Sequence, residues 1–174
     1  MSGFVSFISR LVQSATAHNT INIPTVPVTF QRSPGVPTGN DRGIANMDFR
    51  VTSLGFVLQT GRTPADGRID VRLIGGRATL QLLHNGNPVA EYDVRARTAA
   101  LEPDNTINGI QRRLRMLGYQ LGHDSATQDG ITNDITKLTD RAIQDFQIDQ
   151  KIAFDGKVNA DTTTKINDAV DALP

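Results

Sequence analysis

The first apolar pattern of the chain lies at its N-terminus and has helical spacing. Apolar residues recur there at i, i+3, i+4, i+7 and i+8, which predicts an amphipathic helix. A lone helix of this length is marginal in water, so it must pack against its own domain or against a partner. The stripe consists of Phe4, Phe7, Ile8, Leu11 and Val12.

The segment that follows, from His18 to Asn46, is rich in Pro, Gly, Asn and Thr and predicts an extended arm. Within it, residues 25–30 are β-branched enough for one edge strand. A proline-punctuated arm has little apolar surface to offset the entropy lost on ordering. We therefore expect the N-terminal helix to dock in a groove of a partner subunit, although packing on its own β domain is the alternative.

Residues 47–100 predict a small β domain. Their apolar positions alternate partly with period two, and the turn pairs Asp66-Gly67, Gly75-Gly76 and Asn85-Gly86 separate the runs. Short strands at roughly ten-residue spacing favour a small antiparallel β-sandwich. The predicted strands cover residues 49–51, 56–59, 69–73, 78–82 and 89–94.

The apolar period changes to 3.6 in residues 101–174, which predicts a three-helix domain. The fold class is therefore α+β, with an N-terminal helix and arm over 1–46, a β-sandwich over 47–100 and helices over 101–174. Caps and breakers place the helix ends. The predicted helices run from a cap at Asp104 or Thr106 to Gly118, over about 137–150, and over about 160–172 with Asn159 as cap.

Charge is balanced overall, with 18 Lys and Arg against 18 Asp and Glu, but not along the chain. Residues 1–100 carry ten basic and six acidic side chains, whereas residues 101–174 carry eight and twelve. A basic nucleic-acid binder does not have this distribution, so we expect no nucleic-acid partner. The absence of cysteine excludes disulfides and thiolate metal sites.

No apolar run approaches the roughly 20 residues that span a bilayer, so no membrane span is expected. The N-terminus has no basic segment before its apolar residues, and serine and arginine interrupt those residues. We therefore expect no cleaved signal peptide.

No catalytic or metal-binding constellation is evident, so we expect a protein that is not an enzyme and needs no cofactor. A glycosidase of lysozyme type needs two suitably placed carboxyl groups, but the only glutamates are Glu91 and Glu102, and most aspartates lie in turns or caps. The three histidines are not at zinc-ligand spacing. A calcium loop over residues 124–129 is disfavoured because Ala126 and Gln128 interrupt the oxygen ligands.

The helical region contains a set of ordered phrases. Ile110 to Tyr119 reads IQRRLRMLGY, Asp129-Gly130 follows, and Thr139 to Gln147 reads TDRAIQDFQ; Asp155-Gly156 and Thr162 then repeat the Asp-Gly and Thr spacing. In this order they resemble the type 1 peptidoglycan-binding domain over residues 104–170. The resemblance implies a three-helix fold and a possible cell-wall glycan partner. The chain departs from the family pattern at Lys151, where that family has glycine.

The β region also has a relative. The Asp66-Gly67-Arg68 turn, the run Glu91 to Val94 and the junction from Leu101 to Gln111 are similar to small proteins of phage-tail-like contractile injection systems. This resemblance implies a non-catalytic structural or adaptor component of such a particle, with protein subunits as partners. It also implies assembly in the bacterial cytoplasm and export as part of that particle. The alternative is a free-standing peptidoglycan-binding protein of the bacterial envelope.

Five residues are candidate glycan or partner contacts; Gln120 would supply hydrogen bonds, and each of the other four has a structural alternative. The arginines of the first helix lie outside its apolar stripe and predict a solvated face, or a bidentate contact with peptide-stem carboxylates. An aromatic residue after the helix either stacks on a sugar or closes the core. The aspartates of the Asp-Gly pairs supply hydrogen bonds or only form turns. The candidates are Arg113, Tyr119, Gln120, Asp129 and Asp155.

Overall fold

The structure is a computed structural model that describes residues 4–7, 23–35, 43–97, 99–122, 125 and 129–173. These residues form two compact units. The β unit contains residues 7, 23–32 and 43–97, and the helical unit contains residues 4–6 and 33–35 and the described residues from 99 to 173. None of the described helices is long and apolar enough to cross a membrane.

The strands in the described residues form two sheets, in the orders β1-β2-β5 and β4-β3-β6-β7. The pairs β2–β5, β3–β4, β3–β6 and β6–β7 are antiparallel. All five strands predicted between residues 47 and 100 are confirmed, four with wider bounds and the one predicted over 69–73 shifted by one residue. The strands are β1 Phe4–Phe7, β2 Thr25–Gln31, β3 Asp48–Ser53, β4 Phe56–Arg62, β5 Arg68–Arg72, β6 Arg77–His84 and β7 Asn87–Arg95.

The core of the β unit lies between the two sheets. Alternate residues of the neighbouring strands β3 and β6 are buried. They lie side by side across the two strands, since Phe49 pairs with Leu82 and Val51 with Leu80. The first sheet contributes buried aliphatic residues from β2 and β5. The rings of Phe30 and Tyr92 connect the sheets, with centroids 5.9 Å apart. Period-two alternation thus builds the core that the sequence predicted.

The predicted N-terminal helix is wrong over Phe4–Phe7, because these residues form strand β1 beside β2. Short apolar runs do not distinguish a helix from a strand, and Phe-Val-Ser-Phe consists largely of strand-forming residue types. Pairing with β2 therefore prevails over the helical spacing. The remaining residues of the predicted docking helix, Ile8, Leu11 and Val12, lie outside the described residues.

The strand predicted within the arm is confirmed as β2, but its predicted place at an edge is wrong. Strand β2 lies between β1 and β5, and Val26 to Gln31 are all buried. Pro27 pairs with Asp70 of β5. Proline argues for an edge because it lacks an N–H donor, but alternate residues of a strand donate to opposite sides, so one missing donor does not prevent pairing on both sides.

Three helices form the helical unit, and each begins at a residue whose side chain caps it. Thr106 accepts a hydrogen bond from the Gly109 N–H, Thr136 from the Thr139 N–H, and Asn159 from the Thr162 N–H. These N-caps confirm Thr106 and Asn159 among the sequence candidates. The helices are α1 Ile107–Met116, α2 Lys137–Gln150 and α3 Ala160–Asp171.

The helices pack around Phe146, which is fully buried in α2. Its ring meets Tyr119 edge to face, with centroids 5.8 Å apart and an interplanar angle of 74°. Of the aliphatic positions that the 3.6 period predicts as inward, Ile107 and Leu138 are 37% and 38% exposed, but most are buried. The buried positions include Ile110, Leu114, Leu117, Ala142, Ile143, Ile166 and Ala169.

The ends of α1 and α2 differ in residue type. Gly118 follows α1 with φ of 91°, as its position after the helix predicts. Lys151 ends α2 in the left-handed region with φ of 55°, where only a residue without Cβ is free of strain. The chain therefore keeps the left-handed helix end that suits glycine, although lysine disfavours it.

Replacing Lys151 with glycine is expected to stabilise the helical unit. A left-handed L-residue costs about 1–2 kcal/mol, and the added freedom of glycine in the unfolded chain offsets about 0.4–1 kcal/mol. We expect Lys151→Gly to raise the free energy of unfolding by about 0.5–1 kcal/mol in denaturant titrations. The matched control Gly118→Ala should lower it. A loss of stability in Lys151→Gly would show that the lysine side chain outweighs the strain.

Candidate functional site

The three arginines of α1 form a network inside the helical unit. Arg112 contacts the carboxylates of Glu102 and Asp129 at 3.2 and 3.0 Å, with its side chain 24% exposed. Arg115 donates to the backbone carbonyl of Asp129. The predicted solvated face is therefore wrong for these residues, because the segments before and after α1 cover the helix.

Arg113, a candidate ligand contact, also has internal partners. Its Nη1 donates to the backbone carbonyls of Glu102 at 2.8 Å and Gly109 at 3.0 Å. A guanidinium used in this way fixes the segment that precedes α1. Its remaining donors would have to supply any contact with a peptide-stem carboxylate.

Asp129 organises the loop between α1 and α2. Its Oδ1 accepts hydrogen bonds from the Ser125 hydroxyl at 2.7 Å and from the Ile131 N–H at 3.1 Å, and its Oδ2 contacts Arg112. The bond to the N–H two residues ahead is an Asx turn. Both carboxylate oxygens are engaged, so this residue holds the loop in place.

Asp155 has the corresponding position in the loop between α2 and α3. Its Oδ1 accepts from the Lys157 N–H at 2.9 Å and from the Gln147 amide at 2.8 Å, and its Oδ2 accepts from Asn159. These hydrogen bonds, the one from Lys157 most of all, hold the pKa of Asp155 below its ordinary value. The carboxylate stays ionised and exposed at the surface of the turn.

Tyr119 lies in the core and Gln120 at the surface. The Tyr119 side chain is 3% exposed, its ring contacts Phe146, and its hydroxyl donates to Asp149 Oδ2 at 2.7 Å. A sugar has no free ring face to stack on there, and the core-closing alternative describes this position. Gln120 is exposed beside it.

Two buried glutamines, which the sequence patterns did not single out, explain why the helical unit repeats an Asp-Gly pair followed by a threonine. The Gln111 side chain donates to Thr132, to the Asp134 carbonyl and to Thr139, and accepts from the Thr132 N–H at 2.7 Å. It is fully buried. One side chain in α1 thus connects α1, the following loop and the first turn of α2.

Gln147 repeats this arrangement one helix later. Its amide donates to Asp155, to the Lys157 carbonyl and to Thr162, and its oxygen accepts from the Asp155 and Gly156 N–H groups at 3.2 and 2.9 Å. The signal in the sequence is the Thr that follows each Asp-Gly pair. Thr139 and Thr162 are both buried, so each hydroxyl needs a polar partner. Gln111 and Gln147 on the preceding helices supply these partners.

One groove of the helical unit lies where the N-terminal ends of α1 and α3 meet α2. Its volume is about 590 Å³. Buried Ile110 and Ile143 lie at its floor, and the partly exposed Ile107, Ile135 and Val158 add apolar walls. Its polar lining comprises Asp104, Asn105, Thr106, Thr139, Asn159, Thr163, Thr164 and Asn167. We call this the first groove.

The second groove, of about 480 Å³, lies on another part of the helical unit. Tyr119 and Gln120 line it, so the structure brings these two sequence candidates together. Arg113, Asp129 and Asp155 line neither groove. The other lining residues are Ser33, Pro34, Leu138, Arg141, Asp145, Ile148 and Asp149.

Among the described residues, no group of three or more His, Asp or Glu side chains is placed to hold a metal ion. Asp104, the acidic residue of the first groove, already accepts a hydrogen bond from Asn167 at 2.7 Å. The chemistry this groove offers is recognition by amides, hydroxyls and apolar walls.

Comparison with known protein families finds a match within the helical unit. Residues 104–166 match the family of peptidoglycan binding domains, a binding family rather than a catalytic one. No curated protein and no solved structure matches the chain. The matched range begins at Asp104, ahead of the capped start of α1, and contains both glutamine-centred loops and most of α3. The helical unit of this chain therefore contains a peptidoglycan-binding domain.

Proposed function

We propose that this protein is a non-catalytic binder of the bacterial cell wall that holds peptidoglycan in the first groove of its helical unit. The family match over residues 104–166 carries the proposal. The intact core and the two capped loops support it, since they keep the groove preformed, as ligand sites usually are.

The lining of the first groove suits the chemistry of peptidoglycan. Its glycan and peptide parts present amides, hydroxyls and carboxylates together with the small methyl groups of N-acetyl, lactyl and alanyl units. Asn105 and Thr163 offer donors and acceptors, Asn167 keeps its amide oxygen beyond its bond to Asp104, and Ile107 and Val158 offer apolar contact. A few placed polar groups on an apolar floor are typical of small-ligand recognition.

The second groove is the competing location within the same unit. Exposed Leu138 and Ile148 border it, but its charged groups already face each other or the core. Arg141 Nε lies 3.8 Å from Asp145 Oδ2, and Asp149 accepts a hydrogen bond from the Tyr119 hydroxyl. The first groove adds the exposed apolar side chains of Ile107, Ile135 and Val158 to its amide and hydroxyl groups, so we assign the ligand to it.

We expect the full chain to pellet with insoluble peptidoglycan. Thr163→Trp, which fills the first groove, should weaken this association about tenfold or more, because a blocked site loses its central contacts. Gln120→Trp, which adds the same side chain beside the second groove, is the matched control and should bind as the unmodified protein does. Circular dichroism should show both variants folded.

The pelleting results distinguish the first groove from the second as the ligand site. If Gln120→Trp alone abolishes pelleting, the second groove is the site. If the unmodified chain stays in the supernatant, the proposal of cell-wall binding is wrong. Release of soluble muropeptides by the unmodified chain would contradict its non-catalytic character.

An adaptor role in a contractile injection particle, assembled in the cytoplasm and exported with the particle, is the second candidate. The resemblance of the β unit, which lies outside the family match at residues 104–166, supports it. The Asp66-Gly67 turn that carries the resemblance is tightly packed, since a Cβ on Gly67 would lie 2.1 Å from the Phe30 carbonyl oxygen. Co-purification of the tagged chain with sheath or tube subunits is the test of this role.

A further inference from the structure

Two hairpins of the β unit have the same turn geometry but opposite chemistry. Each has two residues between its strands, both with positive φ: 51° and 81° at Leu54-Gly55, and 51° and 79° at Asn85-Gly86. Asparagine tolerates the left-handed region and is the usual residue at such a position, whereas leucine is strained there. Folding alone therefore favours asparagine at position 54.

Leu54 is also 77% exposed, so burial in the β unit does not offset its strain. The next strand residues, Phe56 and Val57, are 71% and 57% exposed. Between Val51 and Gly61 the chain has no charged residue. A strained leucine that begins an uncharged, exposed apolar run indicates a surface that contacts something else.

A second turn extends this surface. The Ser53 hydroxyl donates to the carbonyls of Ile74 at 3.3 Å and Arg77 at 2.9 Å, which places the turn between β5 and β6 beside the hairpin. Ile74 is 37% exposed. We call the exposed residues Leu54, Phe56, Val57 and Ile74 the apolar tip.

Arginines surround the apolar tip. Arg72 ends β5, Arg77 begins β6, and Arg95, which pairs with Arg77 across the strands, ends β7; all three are exposed. Asp93, in contact with Arg95, and Asp70, in contact with Arg68, are the acidic residues near these strand ends. This end of the β unit is therefore net positive, whereas the hairpin at the opposite end consists of His84, Asn85, Gly86 and Asn87.

The tip also projects from the β unit. A Cβ built on Gly55, Gly75 or Gly76 would meet no atom within 4 Å, so both turns stand in open space. Two copies of such a positively charged projection would repel each other and share little contact area. A soft surface that admits apolar side chains and attracts arginine fits better than a second copy of the chain.

We propose that the apolar tip binds the surface of an anionic lipid bilayer. Leu54, Phe56 and Val57 enter the interfacial region, and Arg72, Arg77 and Arg95 contact headgroup phosphates. This is peripheral attachment through side chains of the β unit, outside residues 104–166, and it is separate from cell-wall binding by the helical unit.

The test is sedimentation of the full chain with vesicles of phosphatidylglycerol and phosphatidylcholine in equal parts, compared with phosphatidylcholine alone. We expect binding to the anionic vesicles that weakens as salt is added. Leu54→Asn should reduce the partition coefficient about tenfold, because one large apolar side chain no longer leaves water. This variant should unfold at a higher denaturant concentration, because asparagine relieves the strain.

Asn85→Leu is the matched control, since it places the same strained leucine at the opposite hairpin. It should lower stability and leave binding to vesicles unchanged. Phe56→Ser is a second variant that should reduce binding without changing the turn. Three results would each overturn the proposal: no binding to anionic vesicles, equal binding to both vesicle types, or a dimer in sedimentation velocity that Leu54→Asn converts to monomer.

Discussion

Phe146→Ala is expected to lower the free energy of unfolding of the helical unit by about 3–5 kcal/mol, the usual cost of emptying a buried aromatic site. The ring is fully buried at the centre of the three helices and contacts Tyr119 edge to face. The surrounding side chains are held by helices with fixed caps, so little collapse into the cavity is expected. The same residue change would then also weaken the support of Tyr119.

The measurement is a denaturant titration of the full chain followed by circular dichroism at a helix-sensitive wavelength, since the described helices lie in one unit. Phe154→Ala is the matched control, because Phe154 is 61% exposed in the same unit. Its effect should stay within about 0.5 kcal/mol, as for most surface changes. Equal losses in the two variants would show that Phe146 is not the centre of the core.

Gln147→Leu is expected to cost about 3 kcal/mol, because leucine keeps the approximate volume but leaves several buried polar groups unpaired. The Asp155 and Gly156 N–H groups lose their acceptor, and the Thr162 hydroxyl loses its donor. An unpaired buried donor or acceptor typically costs about 1–3 kcal/mol, and water reaches some of these groups.

Gln144→Leu is the control for this second change. Gln144 lies on the same helix, is half-buried, and donates to Asp140 at 3.1 Å. Its replacement should cost well under half as much. Hydrogen exchange adds a local measurement, since the Gly156 amide should lose protection in Gln147→Leu but keep it in Gln144→Leu. Unchanged protection in both variants would mean that water or another group serves the loop equally well.

Local patterns predicted much of this fold. The 3.6 period located all three helices, and the N-caps Thr106 and Asn159 and the terminating Gly118 followed from capping chemistry. Alternation and Asn-Gly or Asp-Gly pairs located five strands. These signals are reliable because the residues that carry them act on their immediate neighbours.

Long-range pairing set what the sequence did not reveal. The apolar residues of Phe4–Phe7 have helical spacing, but the segment pairs with strand β2. A run of four residues does not reveal such a distant partner. The spacing of apolar residues in α1 predicts that its arginines face solvent. Arg112 instead contacts Glu102 and Asp129, which only folding brings close to the helix. Burial of a charged side chain by distant segments has no local pattern.

The candidate site shows the same division. Asp129 and Asp155 were recognised as possible turn residues, and their hydrogen bonds describe turns. Gln111 and Gln147 were not recognised, because a glutamine on a helix is usually a surface residue. The grooves could not be predicted, since their walls combine residues from several helices and loops.

The glutamine contacts also bear on how this domain can change in length. Gln111 reaches Thr139 across 28 positions, whereas Gln147 reaches Thr162 across 15, yet each makes the same contact with the first turn of the next helix. The closure entropy of a loop grows only slowly, by about 0.6 kcal/mol for each doubling of length. Insertions between the anchored ends can therefore accumulate with little loss of stability, and the inter-helix loops are natural places to graft new recognition sequences onto an unchanged scaffold.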